Sequence, residues 1–123
     1  VIPSDTCNLV KEKISSREWQ LHVWHDYETN TNLSRSEKEL EVLYYIDVNK
    51  YILKPVSEAV KQYTEKLKTG KIISFFSDIR FNRYKPGTLM ASHIDHIHSL
   101  FDGECKGVPV LSIVGVLNVP PRS

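Results

Sequence analysis

Hydrophobic positions fall into patterned stretches separated by polar ones, and the period of each stretch predicts an element. Leu9, Val10 and Ile14 recur at helical spacing behind Ser4 and Asp5, which offer an N-cap, so a short helix is expected over about residues 5 to 16. Trp19, Leu21 and Val23 then alternate with Gln20, His22 and Trp24, a period of two that predicts a strand through about residue 26. Asn30-Thr31-Asn32 breaks the alternation, and the polar run to Glu41 reads mostly as loop.

The strongest helical pattern covers residues 47 to 68. Val48, Tyr51, Ile52, Val56, Ala59, Val60, Tyr63 and Leu67 form one stripe, with Asp47 placed to cap its start and Gly70 its end. Pro55 removes a backbone donor inside that stripe, which predicts a kink or a late start. The stripe is expected to be core and to cover a sheet. From residue 72 the character turns to β: residues 72 to 84 are rich in Ile, Phe and Tyr, Pro86-Gly87 marks a turn, and an extended pattern resumes over 88 to 95. Residues 109 to 118 are almost uniformly apolar, as expected of a strand covered on both faces. Helices first and sheet afterwards make the expected class α+β.

Composition agrees with a single globular domain: 123 residues, 41% hydrophobic and 25% charged. A net charge of +1 provides no electrostatic footprint for nucleic acid or an anionic membrane. No apolar run approaches the roughly 20 residues of a membrane span, and the first residues lack the features of a signal peptide, so a cytoplasmic location is expected. Cys7 and Cys105 lie far apart without CxxC spacing and read as two free thiols.

Candidate chemistry concentrates in His93-Ile94-Asp95-His96-Ile97-His98. On an extended chain His93 and Asp95 share a face and offer one imidazole nitrogen and one carboxylate oxygen to the same cation, a mixed donor pair suited to Fe(II). The pair alone is weak: five histidines and fifteen acidic residues in 123 produce roughly 0.6 such spacings by chance. If Lys85-Pro86-Gly87-Thr88 closes a two-residue hairpin, Arg80 faces His93 and Asn82 faces Ala91. Arg80, Asn82 and Tyr84 then line the side of His93 and Asp95, while Phe75, Ile79 and Phe81 point to the other. The bland readings are that His96 and His98 are surface residues and that Arg80, Arg83 and Lys85 form a solvated basic edge.

The stretch from Ser77 to Asn118, with Arg83-Tyr84, Gly87, Met90, the His93 and Asp95 pair and an apolar strand ending Leu117-Asn118, resembles the first half of the catalytic core of Fe(II)/2-oxoglutarate-dependent dioxygenases of the prolyl 4-hydroxylase-like branch. Upstream, Cys7 in a short helix, Trp19 to Trp24, Glu39-Leu40-Glu41-Val42 and the long helix to Tyr63 are similar to the support region of that family. The resemblance implies N-terminal helices on a partial double-stranded β-helix, or jelly roll. It implies that His93 and Asp95 are two of three iron ligands and that Tyr84 hydrogen-bonds 2-oxoglutarate. It also implies an oxidoreductase that uses Fe(II), 2-oxoglutarate and O2, with ascorbate as an accessory, to hydroxylate a C–H bond, releasing succinate and CO2. The substrate so implied is a protein or peptide, most readily a peptidyl proline, or a small molecule. The family's distal histidine and the basic residue that pairs with 2-oxoglutarate are not found after Asn118, so the expected domain is cut after its third or fourth core strand. The apolar strand would then present an open edge through which the chain self-associates. The alternative is a catalytically incompetent fragment or partner-binding module of the same fold.

Overall fold

Ser4–Ser15 forms the first helix, α1, in a computed structural model that describes residues 2–26, 28–33, 39–68, 73, 76–88 and 111–118. Its N-cap is Pro3, with extended ψ and no side-chain cap, rather than the expected Ser4 or Asp5. Cys7 N–H donates to the Pro3 carbonyl at 3.1 Å, so the first helical bond already reaches back across Ser4 and Asp5. Asp5 instead lies in the first turn, where a negative charge complements the helix dipole. Val10 and Ile14 are the buried face. At the far end the Ile14 carbonyl accepts from both the Arg17 N–H at 3.2 Å and Trp19 Nε1 at 3.1 Å, which ties the Trp19 ring to the helix terminus.

The strand expected through residue 26 is two strands. β1 (Gln20–Leu21) pairs antiparallel with β4 (Glu41–Leu43), whereas β2 (Trp24–Asp26) pairs antiparallel with β3 (Thr31–Leu33). Between them His22 N–H still donates to the Leu40 carbonyl at 2.8 Å. Alternation reports which residues share a face; it does not report where the chain changes partners. The polar run to Glu41, expected as loop, therefore contains β3 and leads into β4, with Asn30 at a φ of 52° in the turn that joins β2 to β3.

A 3-10 turn, Ile46–Val48, leads into α2 (Asn49–Leu67). Asp47 lies inside that turn and does not cap α2, whose N-cap is Val48. Pro55 is an internal residue of α2, so the Tyr51 carbonyl lacks its usual helical donor. The helix ends where Lys68 takes a left-handed φ of 53° and its N–H donates to the Glu65 carbonyl. Gly70, the expected stop, lies outside the described residues. Only part of the apolar stripe is core: Val48, Ile52 and Val60 are buried, but Tyr63 is 48% and Leu67 53% exposed. α2 packs against α1, the helix partner that the pattern of α2 did not name.

β5 (Phe81–Arg83) completes a three-stranded antiparallel sheet in the order β1-β4-β5. Its register sets Leu43 opposite Phe81, both buried, and Glu41 opposite Arg83 and Leu21. Residues two apart share a face, so one side of the sheet is apolar at Leu43 and Phe81 and charged at Glu41 and Arg83. The strands β1 to β4 lie between the helices, not after them, and the class is α+β with two small antiparallel sheets. Among the described residues there is no double-stranded β-helix, and no helix is long and apolar enough to cross a membrane.

The chain divides into two compact units, Val1–Met90 and Ala91–Ser123. In the second, residues 111–118 form no strand, contrary to the covered strand expected over 109 to 118, and Val114 is 88% exposed. A uniformly apolar run becomes a buried strand only when other strands pair with it and layers cover it. Among the described residues none pairs with it. Upstream, among the described residues of the strand expected over 72 to 84, Phe81–Arg83 is the paired part, while residues 76–80 carry no regular structure.

Candidate functional site

Glu39 and Glu41 are two residues apart at the start of β4, and the register of β4 with β5 brings Arg83 across from Glu41. Arg83 Nε donates to Glu41 Oε2 at 2.7 Å, and Lys85 Nζ donates to Oε1 at 3.3 Å, so both carboxylate oxygens are occupied. The Arg83 guanidinium also lies 4.4 Å above the Trp19 ring. The Arg83 hydrogen bond, with a smaller contribution from Lys85, holds the Glu41 carboxyl below its ordinary range against the opposing effect of burial. Arg83 and Lys85, expected on the bland reading to be a solvated basic edge, are the counter-charges of one carboxylate.

Glu39 is different. It is only 7% exposed, and its Oε1 accepts a hydrogen bond from Trp24 Nε1 at 3.1 Å, a neutral donor. Its Oε2 is covered and has no hydrogen-bond partner. Trp24 in turn meets the His22 ring edge-on, with centroids 4.7 Å apart. Glu39, Leu21, Glu41 and the turn from Lys85 to Thr88 line a cavity of about 230 Å³. That turn is closed twice: Thr88 N–H donates to the Lys85 carbonyl at 2.9 Å, and Lys85 N–H donates to Thr88 Oγ1 at 3.0 Å. Gly87 supplies the positive φ, 84°, that the third position of a type II turn requires.

Tyr84 follows β5 directly and is 57% exposed. The alternation expected ahead of the turn is present, with Arg80, Asn82 and Tyr84 exposed, Ile79 half-buried and Phe81 buried. His93 and Asp95, together with His96, His98 and Phe75, lie outside the described residues, as does the return segment expected to face Arg80 and Asn82. Among the described residues no three His, Cys, Asp or Glu side chains are grouped to hold a metal. The sequence reading missed Glu39 and Glu41 as a site because their stretch was assigned to a loop. The available signal was Glu39-x-Glu41 alternating with Leu40 and Val42. No protein-family model matches the chain, and neither a curated protein nor a solved structure matches it.

Proposed function

We propose that the chain belongs to a dioxygenase core that uses Fe(II) and 2-oxoglutarate, with His93 and Asp95 holding the metal and Tyr84 hydrogen-bonding the co-substrate. The observation that supports this reading is the closed turn from Lys85 to Thr88. It follows β5 and the exposed Arg80, Asn82 and Tyr84, and it precedes the His93-x-Asp95 pair in the sequence. An imidazole nitrogen with a carboxylate oxygen is a donor set that fits ferrous iron. Bound there, the metal and its co-substrates would supply C–H hydroxylation, for which a peptidyl proline is the proposed substrate. The chain's own contribution is positional: the β4–β5 register and the turn fix where Tyr84 leaves the sheet.

The test is spectroscopic. Under anaerobic conditions Fe(II) plus 2-oxoglutarate is expected to produce a metal-to-ligand charge-transfer band that His93→Ala abolishes. A chain that shows no band, or a band that survives the substitution, refutes the assignment.

A second reading, a partner-binding module, is favoured by the exposure of Val114 and of Val116, 68% exposed, in a stretch without charge. It expects self-association that rises with concentration and ignores iron. A monomer by sedimentation, stabilised by Fe(II) with 2-oxoglutarate, removes it.

A further inference from the structure

We propose that the cavity beside Glu39 is a binding subsite for an alkyl chain ending in an N–H cation, an ammonium or a guanidinium. The proposal concerns the sheet of the first unit and does not depend on iron.

The argument begins with the unanswered oxygen. A carboxyl group that is 93% buried, the complement of its 7% exposure, and held by one indole N–H has, among the described residues, one covered oxygen with no cationic donor in contact. Such a group is stabilised most by a donor that also carries positive charge, because charge-assisted hydrogen bonds are roughly twice as strong as neutral ones. Glu41 does not compete for that ligand, since Arg83 and Lys85 occupy both of its oxygens. For the same reason the pair of carboxylates is a poor metal site: a divalent cation would find one open protein oxygen where Ca²⁺ takes about six to eight oxygen ligands.

The remaining walls choose the rest of the molecule. Leu21 and the Pro86 ring present apolar surface to a methylene stem, and about 230 Å³ admits a short chain with one head group. Lysine and arginine side chains, free or in a peptide, have this chemistry. Oε2 is itself covered, so the carboxylate must turn partway about its terminal torsion to meet the ligand, a soft rotation for an sp³–sp² bond. Lys85 is the internal competitor. Its side chain, 65% exposed, lines the same cavity and holds its ammonium on Glu41 Oε1, so its removal both clears the mouth and frees that second carboxylate oxygen, and each change is expected to favour the incoming cation.

The experiment titrates the ¹⁵N-labelled chain with Nα-acetyl-lysine amide, Nα-acetyl-arginine amide and the uncharged Nα-acetyl-norleucine amide. The reporter is the Trp24 indole N–H, which donates to Glu39; the Trp19 indole, bonded to the Ile14 carbonyl, is the internal reference. Expected is a saturable shift of Trp24 with one or both cationic probes, at least about tenfold weaker with norleucine, reduced about tenfold or more in Glu39→Gln and strengthened in Lys85→Ala. The lysine and arginine arms distinguish the two head groups. Equal binding of norleucine, no shift of Trp24 at millimolar probe, or unchanged affinity in a folded Glu39→Gln overturns the proposal. Should Glu39→Gln fail to fold, the comparison of lysine, arginine and norleucine on the unsubstituted chain decides it.

Discussion

Gly87→Ala is a clean perturbation of the turn that follows β5. A Cβ added at Gly87 meets nothing within 4 Å, so no neighbour has to move. The whole effect is then the backbone's: at a φ of +84° an L side chain crowds its own peptide unit, at about 1–2 kcal/mol. Alanine also stiffens the unfolded chain, which offsets about 0.4–1 kcal/mol of that cost. The net expectation is a loss of about 1 kcal/mol, read as a fall of about 4–8 °C in Tm for a unit of this size, or about 0.3–1 M in the urea midpoint. Gly115 is the control, because its added Cβ also meets open space but its φ is not positive. Gly115→Ala is expected to be neutral or mildly stabilising. Gly87→Asn is expected to recover most of the loss, since asparagine tolerates the left-handed region. Urea unfolding followed by tryptophan fluorescence checks all three. If Gly87→Ala is as stable as the parent, or Gly87→Asn is no better than Gly87→Ala, the turn geometry is not what holds this corner.

Two further outcomes follow from burial and charge. Ile52→Ala and Leu67→Ala remove apolar groups from the same stripe of α2, but Ile52 is 7% and Leu67 53% exposed, so thermal unfolding should show about 2–5 kcal/mol lost for the first and within about 0.5 kcal/mol of no change for the second. Similar losses would mean that α2 is covered along its whole length. Because Arg83 and Lys85 lower the folded pKa of Glu41, their stabilisation is fully present above the ordinary carboxylate value of 4.5 and fades as pH falls through the lower folded value. Urea midpoints across that window should therefore fall more for the parent chain than for Glu41→Gln, with the two converging at the acid end; parallel curves would show that the ion pairs add nothing to stability.

Local signals carried well where one element supplies both the pattern and its reason. The spacing of Leu9, Val10 and Ile14 placed α1 to within one residue at each end, and three of the eight stripe residues, Val48, Ile52 and Val60, are buried as the period implies. Pro86-Gly87 marked a turn whose left-handed third position only glycine fills without strain, and that turn forms. Alternation over Ile79 to Tyr84 named the buried and exposed faces of β5 correctly, even though the pattern says nothing about which strand lies beside it.

Partner choice was not legible. Backbone pairing uses N–H and C=O groups that every non-proline residue carries, so nothing in Trp19 to Asp26 marks the point where the chain leaves β4 and turns to β3. The carboxylate site escaped for the same reason. Glu39 and Glu41 look like ordinary polar positions until antiparallel register sets Arg83 opposite one of them and the sheet buries the other beneath Trp24. Residue types and their spacing are properties of the chain taken a few positions at a time, and they settled the helices, the turn and the alternating faces. Which strands meet, which half of α2 stays bare, and which carboxylate is answered by a cation depend on groups more than ten residues apart arriving in one place, and only the folded arrangement decides that.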